Sequence, residues 1–357
     1  HVRNIVSWGA IISGYGAHGQ FDYAFQLFLK MQRSGKTPNE VIYLSLLRLC
    51  ITTGNLSDGR IIQDQVIKTG LESVRTVGNA LIDMYANYGS LDEGKRVFDT
   101  LPVRDEVSWG AMLDGCAKNN DGFLALELFE KMQKEGKEPN RVIFLLVLKS
   151  CGMIGAVMKG RMIHNQIVDF GLATDVETGT TLIDMYSNCG CLQEAHAVHE
   201  MLPTKDASSW NALIAGYSQH GYSNLALQCL KDMQSQGLKP DSWTFTSILA
   251  ACSHEGQAEK GYNMFMDMRD NYDLMPRIEH FNCVIDILGR VGRLDEAEKL
   301  LRSMPRVPNV TGWLTLLTAC KTFGSNELGR TCYHEAVCLD AEKASCYMLM
   351  SNICQDL

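Results

Sequence analysis

One phrase returns at a fixed distance along the chain. Ser7-Trp8-Gly9-Ala10-Ile11-Ile12 reappears as Ser108-Trp109-Gly110-Ala111-Met112-Leu113 and as Ser209-Trp210-Asn211-Ala212-Leu213-Ile214, so Trp8, Trp109 and Trp210 are spaced by 101 residues. Such a period marks a repeat array, in which each element buries its apolar face only against its neighbours. Lys36-Thr37-Pro38-Asn39, Lys137-Glu138-Pro139-Asn140 and Leu238-Lys239-Pro240-Asp241 close the tryptophan-bearing repeats, and the chain falls into repeats of 35, 35 and 31 residues. The first set spans residues 5–105, the second 106–206 and the third 207–309. In the third set two repeats are one residue longer, which places Trp313 103 residues after Trp210. Residues 1–4 read as the close of a preceding repeat, and residues 310–357 as a C-terminal extension.

Within a repeat the apolar period is helical. Ala24, Leu27, Phe28 and Met31 stand at i, i+3, i+4 and i+7, as do Ala125, Leu128, Phe129 and Met132, and then Ala226, Cys229, Leu230 and Met233. Trp8, Ile11, Ile12 and Tyr15 give a second stripe upstream. A glycine-containing turn separates the two, and a Gly-x-x-Pro-Asn or Gly-x-x-Pro-Asp break ends the second helix. In the short repeats Pro102, Pro203 and Pro305 supply the stop. The expected fold is therefore all-α, a right-handed α-solenoid superhelix of stacked helix-turn-helix repeats, tetratricopeptide-like, with a concave groove and one continuous array.

The charge balance of 33 basic against 41 acidic residues, −8 in all, argues against binding a polyanion through a generally basic surface. Local cations and specific contacts would be needed. The apolar run Val142–Leu148, boxed by Arg141 and Lys149, is too short to span a bilayer, so no membrane partner is expected. Cys50, Cys151 and Cys252 recur every 101 residues, which points to reduced thiols packed between helices.

Several stretches imitate chemistry. Gly14-Tyr15-Gly16-Ala17-His18-Gly19 matches G-x-G-x-x-G, but a helix precedes it where a dinucleotide site needs a strand. Cys189 and Cys191 with His196 and His199 suggest zinc, yet the equivalent positions one set earlier are Tyr88, Ser90, Lys95 and Phe98. The tail cluster Cys332, His334, Cys338, Cys346 and Cys354 has no established ligand spacing either. No metal, cofactor or catalytic constellation is expected, and neither H-x-E nor C-x-x-C occurs, which leaves these residues without a zinc-deaminase signature.

The repeat lengths, the Ser-Trp-Gly/Asn-Ala openings and the phrases Gly78-Asn79-Ala80-Leu81-Ile82-Asp83-Met84-Tyr85 and Ala251-Cys252-Ser253-His254-Glu255-Gly256 closely resemble plant pentatricopeptide-repeat proteins of the P-L-S subclass. From Val310, Trp313 to Cys320 with Asn326-Glu327-Leu328-Gly329 resembles that family's E-type extension, and Tyr347 to Ile353 the start of its second E element. The resemblance implies sequence-specific binding of single-stranded organellar RNA, one base per repeat, in the mitochondrion ahead of the chloroplast. It further implies the recognition part of a C-to-U editing factor. The chain would not itself be an enzyme; a DYW-type deaminase domain or another editing-factor protein in trans would act on the base. The alternatives are a splicing or stability factor, or a peptide-holding scaffold, whose 34-residue tetratricopeptide unit fits these lengths poorly.

In that family the fifth and last residues of a repeat meet the base edge, and the second stacks against it. Carried over, Asn79 with Asp105 implies U, Thr180 with Asp206 implies G, Asn211 with Asp241 implies U, and Asn282 with Asn309 implies C or U. Val6, Val107 and Ser208 would be stacking residues. Other repeats depart from the code: Gly9 with Asn39 and Gly110 with Asn140 lack a fifth side chain, while Leu44 with Val74, Leu145 with Asp175 and Thr246 with Arg277 are non-standard pairs that would only space the RNA. The competing reading makes Asn79, Asn211 and Asn282 mere helix caps; paired Asp or Asn at the repeat ends argues for more than capping.

Overall fold

The computed structural model describes residues 4–54, 56–304, 309–340 and 342–355. Among them every regular element is a helix. In chain order these are α1 (Ile5–Ala17), α2 (Phe21–Arg33), α3 (Glu40–Thr53), α4 (Leu56–Lys68), α5 (Arg75–Asn87), α6 (Leu91–Thr100), α7 (Glu106–Lys118), α8 (Gly122–Lys134), α9 (Arg141–Ile154) and α10 (Val157–Asp169). They continue with α11 (Val176–Asn188), α12 (Leu192–Met201), α13 (Ala207–Gln219), α14 (Ser223–Ser235), α15 (Ser242–His254), α16 (Ala258–Asp270), α17 (Ile278–Arg290), α18 (Leu294–Arg302), α19 (Val310–Phe323), α20 (Asn326–Leu339) and α21 (Ala344–Gln355). By internal contacts the chain divides into two compact units, His1–Ala173 and Thr174–Leu357. Each is a stack of helical hairpins of the α-solenoid type, in which every odd-numbered helix packs on its partner and on the next odd-numbered helix of its unit.

The buried stripe explains the hairpins. Trp109, Met112, Leu113 and Cys116 of α7 are buried, and Ala125, Leu128, Phe129 and Met132 of α8 close over them. In the short repeats the second helix supplies a ring to the tryptophan that follows: Phe98 meets Trp109 edge-on at 4.8 Å, and His199 meets Trp210 at 4.3 Å. Tyr15 departs from its expected stripe and is exposed on α1.

Helix ends follow local chemistry. Leu101 and Leu202 adopt extended backbone, with ψ of 125° and 129°, because the following prolines disfavour the α conformation there. Pro305 lies outside the described residues. Gly59, Gly160 and Gly261 are buried at the fourth position of α4, α10 and α16. A Cβ on Gly261 would lie 3.2 Å from the Cys252 Cβ and closer still to Ile287, so the helices can approach only without one. Cys50, Cys151 and Cys252 are buried, and burial pushes the Cys50 thiol up to about 12. Among the described residues no helix is long and apolar enough to cross a membrane.

Most first helices open on an Asn or Asp cap. Asp206 is representative: its Oδ1 accepts from the Ser209 N–H at 2.8 Å, and the Ser209 hydroxyl returns a bond to the Asp206 N–H at 3.1 Å. Asp206→Ala should lower stability by about 1 kcal/mol in thermal or urea unfolding. An unchanged midpoint would show that this reciprocal cap contributes nothing.

Candidate nucleic-acid interface

The second, fifth and ninth residues of each first helix lie at i, i+3 and i+7, on one stripe, opposite the fourth, the eighth and, in every first helix but α1, the eleventh that enter the core. Burial follows this division. Val6 and Val107 at the second position are 75% and 64% exposed, and Ser208 is exposed. The fifth residues Gly9, Leu44, Asn79, Gly110, Leu145, Thr180, Asn211, Thr246 and Asn282 are all half-buried. They form the floor of a face whose rim is apolar and open to solvent. In the first unit this face carries a cleft of about 710 Å³ lined by Leu44, Arg48, Asn79, Val107, Gly110 and Asn140, among others.

The repeat-end residues are the caps, which removes the competing reading of the fifth residues as helix caps. Asn79, Asn211 and Asn282 sit in the second turn of α5, α13 and α17 and cap nothing. The capping falls to Asn39, Asp105, Asn140, Asp175, Asp206, Asp241 and Asn309, each of which accepts from the N–H three residues on. Val74 makes no such bond, and Arg277 is replaced in the role by His280, whose Nδ1 accepts from the Arg277 N–H at 2.9 Å.

At Asp105, Asn140 and Asp241 capping occupies one side-chain oxygen and leaves the other atom for a second partner, whereas at Asn309 the capping oxygen is itself the second contact. At Asp241, Oδ1 takes the Trp243 and Thr244 N–H groups while Oδ2 accepts from Asn211 Nδ2 at 3.1 Å. The Thr244 hydroxyl donates to Asn211 Oδ1 at 2.6 Å and completes the set. Asn282 Nδ2 reaches Asn309 Oδ1 at 3.5 Å, and Asn282 Oδ1 is buried without a hydrogen-bond partner. Asn79 Oδ1 is also buried and unpartnered.

The other two pairs are not joined among the described residues. Asp105 gives Oδ1 to Ser108 and Oδ2 to Arg75, 3.1 Å away. Burial raises the Asp105 pKa, but the Ser108 N–H and hydroxyl and the Arg75 guanidinium outweigh it and hold the carboxyl below its usual range. The Thr180 hydroxyl turns back to the Val176 carbonyl at 2.8 Å instead of meeting Asp206.

The non-standard positions are closed or apolar. Asn140 Nδ2 donates to Glu106 at 2.9 Å beside Gly110. The Thr246 hydroxyl donates to the Ser242 carbonyl at 2.9 Å and contacts His280 Nε2 at 3.1 Å. Sequence reasoning missed the second residues Val41, Val142 and Trp243, of which Trp243 is 72% exposed. Their register with Val6 and Val107 was the available signal. It also missed Arg75 and Glu106, first residues that occupy the last residue of the same repeat.

The zinc-like cluster is dispersed. His196 Nδ1 faces the Tyr217 hydroxyl at 3.1 Å, and His199 is buried against Trp210. Among the described residues no three His, Cys, Asp or Glu side chains are placed to hold a metal ion. The Cys354 side chain lies outside them.

A model of the PPR repeat family matches residues 3–52 and 205–254, and a PPR repeat model matches residues 79–104, 107–136, 180–206, 243–272 and 279–307, together more than half of the chain. The chain belongs to the pentatricopeptide-repeat family. A putative mitochondrial pentatricopeptide repeat-containing protein of Arabidopsis thaliana is 36% identical over 98% of this chain and 56% of its own length. A chloroplastic one from the same plant is 36% identical over 98% of this chain and 41% of its own. This pentatricopeptide-repeat chain thus spans about half the length of such relatives. Among solved structures, the pentatricopeptide repeat protein PPR10 in complex with an 18-nt psaJ RNA element aligns over 100% of this chain and 54% of its own, with a TM-score of 0.75 at 18% identity. That likeness is one of fold.

Proposed function

We propose that this chain binds single-stranded RNA one base per repeat and serves as the address of an organellar C-to-U editing factor, in the mitochondrion ahead of the chloroplast. A deaminase domain or a partner in trans carries the chemistry. In this reading the first three repeat sets are P-L-S sets and α19 to α21 belong to an E-type extension. The observation that carries it is the Asn211–Asp241 pair, where two side chains from successive first helices share one hydrogen bond on the open face. Together they present amide and carboxylate atoms to a base edge. The unpartnered oxygens of Asn79 and Asn282 support it, since a buried carbonyl oxygen without a donor is costly unless a ligand supplies one. Exposed Val6, Val107 and Trp243 add surfaces on which bases can stack. The organelles named for the relatives and the RNA named in the PPR10 complex agree with it.

The deduced order is U, two unread nucleotides, G, U, one unread nucleotide, then a pyrimidine. RNA of that pattern should bind tighter than its scramble in fluorescence anisotropy. Asn211→Ala should weaken the matching RNA by about 1–3 kcal/mol and spare the scramble. Equal binding of both RNAs by the wild-type chain would end the base-reading proposal.

A further inference from the structure

The ninth residue of each first helix stands one turn beyond the fifth, on the same face. In α3 and α9 the two positions are Leu44 with Arg48 and Leu145 with Lys149, the same pair 101 residues apart. Both cations are exposed, and Arg48 lines the cleft beside Asn79. Neither forms an ion pair among the described residues, whereas other cations on this face are neutralised. Lys118 lies 3.3 Å from Asp83 and 2.8 Å from Asp114, and Arg75 lies 3.1 Å from Asp105. At the ninth position of α5 and α7 the residues are the acids Asp83 and Asp114. The third copy reverses the arrangement: α15 has polar Thr246 at the fifth position and uncharged Ala250 at the ninth.

We infer that Arg48 and Lys149 bind phosphodiester oxygens of a single-stranded RNA where it crosses α3 and α9, so that these helices grip the strand without reading it. This rests on the RNA-binding reading above. A leucine at the fifth position offers a base edge no donor or acceptor, and the cation one turn on offers the backbone a charge regardless of sequence. In a chain of net charge −8, two unpaired cations on the binding face are where a polyanion can be held.

The test is the salt dependence of binding to the matching and the scrambled RNA, from 50 to 200 mM KCl, for the 357-residue chain and for Arg48→Gln, Lys149→Gln and the double variant. Each substitution should weaken both RNAs by the same factor and flatten the slope of log affinity against log salt by about 0.7, hence about 1.4 for the double variant. Lys118→Gln should leave the slope unchanged, since Asp83 and Asp114 already neutralise that ammonium. In an RNA extended one nucleotide 5′ of the first U, methylphosphonate linkages at that added nucleotide, opposite α3, and at the unread nucleotide opposite α9 should weaken the wild-type chain and leave the double variant indifferent. An unflattened slope in the double variant, or a loss confined to the matching RNA, overturns the inference. Equal wild-type affinity for the two RNAs with a flattened slope would instead overturn base reading and leave the phosphate grip standing.

Discussion

His199→Phe should make the protein more stable, by about 1–3 kcal/mol, the scale of removing an unsatisfied buried polar group. His199 is fully buried against Trp210, with neither ring nitrogen hydrogen-bonded, and the same slot one set earlier holds Phe98 against Trp109. The nearest carboxylate oxygen, on Glu200, is 3.6 Å from Nδ1, beyond hydrogen-bond reach. Burial above all, helped by the Lys205 ammonium, lowers the His199 pKa to about 4 from 6.5. The unfolded chain therefore takes up the proton first as pH falls. Stability carried by the neutral imidazole is complete above about pH 6.5 and drains away toward pH 4, with about 2 kcal/mol gone by pH 5. Urea unfolding at pH 7 and pH 5 should show the phenylalanine variant losing less by that amount. A variant that is weaker at pH 7, or equally acid-sensitive, would show that the slot is not shaped for an apolar ring.

Thr180→Asn should change what the chain reads. Asp206 closes the same repeat, so the variant acquires the Asn and Asp combination of Asn211 with Asp241, and the nucleotide opposite should shift from G to U. Competition between RNAs differing only there should move by about 1–3 kcal/mol, tenfold to more than a hundredfold. Thr180 is half-buried in the second turn of α11, away from the cap, so the fold should tolerate the amide. Continued preference for G, or a shift at a neighbouring nucleotide, would refute the assignment of position to repeat.

The hairpins were legible because Trp8, Trp109 and Trp210 recur at one period and because the prolines stop helices at the same register. The division at residue 173 was not, since nothing in that stretch interrupts the period. The fifth positions could be located through resemblance, but their surroundings could not. Arg75 on Asp105 and Glu106 on Asn140 are contacts between the first and last residues of one repeat, and they emerge only when successive first helices lie side by side. The repeat-end residue was read only as a base contact, because the sequence does not fix the helix start to the residue that would show Asp105, Asp206 and Asp241 to be caps. The charges on Arg48 and Lys149 were visible, but not that they stand one turn from a leucine on the open face.

The dual duty of the repeat-end residue restricts how such a protein can be reprogrammed. Asp241 holds the start of α15 with one oxygen and engages Asn211 with the other, so on the base-reading proposal an edit there disturbs a neighbouring scaffold as well as a letter. An edit at the fifth position removes no cap, although at Asn211 it also gives up the bond from the Thr244 hydroxyl. On that proposal the alphabet at the repeat end is confined to side chains that also begin helices well, and most drift in target choice should accumulate on the partner that caps no helix.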